Sequence, residues 1–169
     1  MRRKNGMRRK NDWENFENLK QRGEWVEMLF MAAAAQHGYH VFKPWGDSLP
    51  YDVGVEHHGS FLRVQIKSSS ARKGEGYLCR LRHGGHGERP YNPNDVDLFA
   101  AYILPVRAWY LIPTATVFRP TPKMNLRFYP NGLRNRGRHD RDHDYEPYRE
   151  AWGLLARTSG DLSRTSKSR

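Results

Sequence analysis

Residues 51–56 and 61–68 are runs of strand-like, alternating character, and only His57-His58-Gly59-Ser60 stands between them. Two period-two runs joined by so short and turn-prone a segment predict an antiparallel hairpin. The hairpin also dictates where its side chains go. Gln65 and Lys67 share one face of the second strand, whereas Val64 and Ile66 take the other. Asp52 opens the first strand, so its carboxylate starts near the same end. A carboxylate, an amide oxygen and an ammonium converging at a strand edge can hold a divalent cation and a water. Such a set can hydrolyse a phosphodiester.

The flanking sequence predicts what this hairpin packs against. Phe16, Leu19, Gly23, Val26, Phe30 and Ala33 recur at spacings of three and four, the mark of one buried helical face. Asp12 is a candidate cap for that helix, and Gly38 its stop. Further strands are expected at 39–43, 77–81, 98–104 and 109–112, the last two turned at Pro105-Val106-Arg107. A loop is expected at 44–50 and a polar loop at 83–94; residues 124–129 read as an edge strand hemmed by prolines. Residues 131–144 read as a polar loop, and 146–157 as a short amphipathic helix with Tyr148, Trp152 and Leu155 on one side. Trp109 and Tyr110 have aliphatic neighbours and read as core. The expectation is an α/β fold of one domain, residues 12–157. A mixed central sheet is flanked by a long N-terminal helix and a short C-terminal helix.

Charge narrows the partner. The 169 residues carry 29 Lys and Arg against 18 Asp and Glu, a formal net charge of +11. That excess favours a polyanion, nucleic acid above all. No apolar run approaches the roughly 20 residues of a spanning helix, so no membrane partner is expected. Residues 1–11, with six Arg and Lys, read as a disordered basic arm that contacts phosphates; 158–169 read as a disordered tail. Arg134, Arg136 and Arg138 are candidate phosphate contacts, as are Ser68 and Ser69. The basic start lacks the apolar stretch of a secretory signal, and Cys79 is the sole cysteine. The expected setting is therefore intracellular: cytoplasmic, and nucleoid-associated in a bacterium. The histidines show no spacing of a structural zinc site.

The candidate site comprises Glu24, Asp52, Gln65 and Lys67. Asp52, Gln65 and the Ile66 carbonyl would ligate Mg²⁺, with Mn²⁺ a possible substitute, and Glu24 would join through water. Lys67 would orient or acidify the attacking water. Taken singly, Glu24 reads as an exposed helix carboxylate, and Gln65 with Lys67 as a solvated strand face. The ordered set is more specific. Gly23-Glu24, Gly46-Asp47, Pro50-Tyr51-Asp52, Arg63-Val64-Gln65-Ile66-Lys67-Ser68, Asp95-Val96-Asp97 and Trp109-Tyr110-Leu111-Ile112-Pro113 follow in sequence. Together they resemble the PD-(D/E)XK nuclease superfamily, in the branch that includes group I intron homing endonucleases.

There are departures. Tyr51 is inserted between Pro50 and Asp52, Gln65 replaces an acid, and residues 77–81 read as a strand where the family places a helix. The resemblance implies a restriction-endonuclease-like core and a Mg²⁺-dependent endonuclease acting on double-stranded DNA. It also implies a homo-oligomer, dimer or tetramer, since two strands need two sites. Two rivals share the fold: a Holliday-junction-resolvase-like enzyme, and a catalytically inactive DNA-binding protein.

Overall fold

A computed structural model describes residues 13, 16, 18–82, 91–118, 122–130 and 145–164. The long helix α1 is Leu19–Gln36, and Asn18 caps it, its Oδ1 accepting from the Gln21 N–H at 2.9 Å. Asp12, the expected cap, lies outside the described residues. The helix stops where Gly38 takes φ +86°, a conformation that only glycine adopts cheaply. Val26, Phe30 and Ala34 are its buried positions, whereas Leu19, expected inside, is exposed in the first turn.

Strands follow in chain order: β1 His40–Phe42, β2 Val53–His57, β3 Ser60–Ser69, β4 Arg72–Lys73, β5 Gly76–Arg80, β6 Leu98–Ile103, β7 Ala108–Pro113 and β8 Asn125–Phe128. Short helices α2, Thr114–Phe118, and α3, Ser159–Arg164, complete the set. The central sheet runs β1-β2-β3-β6-β7 and is mixed. Only the β3–β6 pair is parallel; the other three are antiparallel. The β2–β3 hairpin closes more tightly than expected. His57 pairs with Ser60, leaving His58 and Gly59 at the tip, both with positive φ, as a two-residue hairpin turn demands.

Both faces of this sheet are covered. On one, Val26, Phe30 and Ala34 of α1 pack with Val64, Ile66 and Leu98. Phe30 meets Trp109 edge-on, ring centres 5.4 Å apart. On the other, Phe99, Tyr110 and Ile112 pack against Cys79, Leu126 and Phe128 of a second sheet, ordered β4-β5-β8. β6 and β7 are therefore buried on both faces, which explains their unbroken apolar runs. No described helix is long and apolar enough to cross a membrane.

Two expectations near the C-terminus change. Residues 146–157 form two 3₁₀ turns, Glu146–Tyr148 and Trp152–Ala156, not one helix. Between them Glu150 takes φ +49°; its N–H donates to the Trp109 carbonyl (2.9 Å), and its Oε1 accepts from the Trp109 N–H (2.7 Å). The segment breaks its helix in order to cover the otherwise bare edge of β7. Beyond it, 159–164 are helical rather than disordered, because Leu162 is buried in the core and the Ser159 hydroxyl donates to Asp97.

Candidate active site

The site forms where β2 begins against the middle of β3. Val53 pairs with Val64, so Asp52, one step earlier, stands across from Gln65; its own N–H donates to the Val64 carbonyl at 3.0 Å. Asp52 Oδ2 accepts two hydrogen bonds, from the Ile66 N–H at 2.7 Å and from Gln65 Nε2 at 2.5 Å. The same Nε2 lies 3.3 Å from the Ile66 carbonyl. The Gln65 amide thus bridges a carboxylate and a carbonyl. Turning that amide over would bring Oε1 to the same place, between the Asp52 Oδ2 and the Ile66 carbonyl.

Adjacent oxygen ligands of an octahedral Mg²⁺ lie about 2.9 Å apart, from bond lengths near 2.1 Å. The 2.5 and 3.3 Å separations bracket that value. Among the described residues no three His, Cys, Asp or Glu side chains gather as a metal cluster. The donors here are instead one carboxylate, one amide and one carbonyl, a set of hard oxygens that fits an ion which keeps most of its waters. Asp52, Gln65 and Ile66, named from the sequence, are therefore brought together.

Lys67 follows on the same face of β3. Its ammonium sits over the Tyr91 ring, 5.2 Å from the centre. Burial lowers its pKa, while the negative charge of Asp52 works against that fall. Asp52 is pushed from 3.8 up to about 6, chiefly by burial. The Ile66 N–H opposes the rise, Glu27 adds to it, and Lys67 and Lys43 oppose it. Cys79, nearby in the core, is pushed up to about 12 by burial, which leaves an unreactive thiol.

Glu24 reaches the rim of this cluster, where its charge acts on Lys43 together with those of Glu27 and Asp52. It is exposed, with 55% of its side chain open, and lies 4.0 Å from Lys20 one turn back. The helix carboxylate whose charge acts on both Asp52 and Lys67 is Glu27, which is only 21% open and ion-paired with Lys43. At about 100° per residue, Glu27 lies about 60° around the helix from Phe30 and Glu24 about 120°.

Other expectations fare differently. Ser69 is buried; its hydroxyl donates to the Leu78 carbonyl at 2.6 Å and accepts from the Ala71 N–H at 3.1 Å, so it holds the β5 strand rather than a phosphate. Ser68 is half-buried. Arg134, Arg136, Arg138 and the basic arm lie outside the described residues. Asp97 has a structural task. It takes Arg63 in a two-pronged ion pair (2.9 and 3.0 Å), accepts the Arg63 N–H at 2.8 Å, and receives the Ser159 hydroxyl at 2.8 Å. One buried carboxylate thereby ties β3, the entry to β6 and α3 together.

Known proteins resemble this chain in fold and in sequence family. A solved bacterial homing endonuclease, I-Ssp6803I, superposes with a TM-score of 0.69 at 25% identity, covering 89% of this chain and 99% of its own. MepB overlaps more loosely, with a TM-score of 0.38 and 13% identity over 67% of this chain and 85% of its own. No protein of curated function matches significantly in sequence. The family model described as PD-(D/E)XK endonuclease matches residues 17–147, well over half the chain. By that match the chain belongs to the PD-(D/E)XK endonuclease family.

Proposed function

We propose that this chain is a divalent-metal-dependent endonuclease that hydrolyses phosphodiester bonds in double-stranded DNA, using Mg²⁺, with Mn²⁺ as a substitute. The observation that carries this reading is the Gln65 amide bridging the Asp52 carboxylate and the Ile66 carbonyl, with the Lys67 ammonium within reach of the Asp52 charge. Asp52, Gln65 and Ile66 would hold the cation, whose charge, when it is bound, stabilises the phosphate and acidifies water. Lys67, held over Tyr91, orients the attacking water by hydrogen bonding and adds positive charge beside the scissile group. Glu27 anchors Lys43 at the rim and adds negative charge that favours a cation.

Double-stranded DNA as substrate is supported by the likeness to a bacterial homing endonuclease and by the net charge of +11. Severing both strands calls for two such sites, hence a homo-oligomer. A supercoiled-plasmid assay tests the reading. The native protein with Mg²⁺ should nick and then linearise, chelation should stop it, and Lys67→Met should slow it by at least about 100-fold. Cleavage that persists in chelator, or that Lys67→Met leaves untouched, would overturn it. Salt-sensitive DNA binding without cleavage would select the inactive binding protein instead.

A further inference from the structure

Between β1 and β2, Trp45 is 98% exposed, the most open of the large apolar side chains among the described residues. Leu49, on the same loop, is exposed as well. Both ends of this loop are fastened at the active site. Lys43 is ion-paired with Glu27, and Asp52 is the site's carboxylate. Trp45 is two residues from Lys43, so their Cα atoms lie within about 7 Å, roughly two base steps of a duplex. Gly46 then turns the chain with φ +70°, leaving the indole at the outside of the bend. An indole carried in water at the mouth of the site has the form of a wedge awaiting a stacked partner.

We infer that Trp45 inserts into the substrate duplex beside the scissile phosphate, stacking on a base whose own stacking it has opened, with Leu49 flanking it. This rests on the DNA endonuclease reading and adds to it the contact that seats and bends the duplex over Asp52. The force is stacking and burial of apolar area, not charge, and that distinguishes it from the Lys and Arg contacts.

The test uses full-length protein carrying Asp52→Asn to block cleavage, with and without Trp45→Ala. The probe is a cleavable duplex bearing 2-aminopurine in turn at positions around the cut. With Trp45 present, fluorescence should rise at one or two positions on binding; Trp45→Ala should abolish the rise. Trp45→Ala should also weaken binding about 10- to 100-fold at every salt concentration, leaving the slope of log affinity against log salt unchanged. Trp45→Phe should restore part of both. Because the side chain is open, Trp45→Ala should melt within about 1 °C of its parent.

Unchanged fluorescence and affinity would overturn the inference. A shallower salt slope would overturn it too, and so would a change of oligomeric state in Trp45→Ala, which would make the residue a subunit contact. Plasmid cleavage by native protein is read separately, so failure of the wedge and failure of the nuclease reading are distinguishable.

Discussion

Replacing Asp52 by asparagine should destroy cleavage yet make the metal-free protein more stable. Burial and the neighbouring Glu27 push this carboxyl from 3.8 up to about 6. Between those two values the folded protein binds more protons than the unfolded chain, so stability falls as pH rises through that window and stays reduced above it. Moving from 3.8 to about 6, at about 1.4 kcal/mol per tenfold change in proton affinity, sets an upper bound of about 3 kcal/mol. Asparagine keeps the shape and retains an oxygen for the Ile66 N–H and the Gln65 amide, now 2.7 and 2.5 Å away, while removing the charge.

Asp52→Asn should therefore gain about 1–3 kcal/mol at about pH 8 in chelator, a rise in Tm of about 3–10 °C for a domain of this size. The gain should shrink steadily toward about pH 4, where the native carboxyl is itself neutral. Excess Mg²⁺ should raise the Tm of the native protein and leave that of Asp52→Asn nearly unmoved, because an ion that binds only the folded state stabilises it by mass action. Thermal melts followed by circular dichroism across that pH range, with and without Mg²⁺, measure all of this. A lower Tm for Asp52→Asn at about pH 8 in chelator, or a difference that does not vary with pH, would refute the reasoning.

The two helix carboxylates separate cleanly by substitution. Glu27→Gln should weaken Mg²⁺-dependent cleavage about 10- to 100-fold at limiting Mg²⁺, as loss of a supporting group around a metal does, whereas Glu24→Gln, exposed beside Lys20, should stay within about twofold. Equal effects in a Mg²⁺ titration of cleavage rate would count against the assignment. Asp97→Asn should cost about 1–3 kcal/mol in denaturant unfolding, since it removes the charge that faces Arg63, leaving the guanidinium its bond to the Asn94 carbonyl, and loosens the link to α3. A loss below about 1 kcal/mol would show that the clip is dispensable.

Much of this protein was legible locally. The alternation of residues 61–68 puts Gln65 and Lys67 on one face without any reference to the rest of the chain, and β3 runs as that pattern implies. The short turn forces the hairpin, which brings Asp52 opposite Gln65. A strand at 76–80, where the family resemblance implied a helix, was equally visible in its composition. What local pattern misjudged were the positions that depend on a neighbour. Residues 146–157 have a helical stripe, but Glu150 leaves it to pair with Trp109, and nothing near Glu150 in sequence says that β7 has a bare edge. Ser69 looks available to a phosphate until β5 arrives to take its hydroxyl.

The identity of the strand atoms proposed to hold a cation was thus set by the chain alone, because backbone pleating couples side-chain direction to residue number. How α1 is rolled about its axis, and so which helix carboxylate's charge reaches Asp52, was decided only when Val26, Phe30 and Ala34 found their places on the sheet. A helix has a buried side only relative to what it packs on, and packing is a property of the assembled fold.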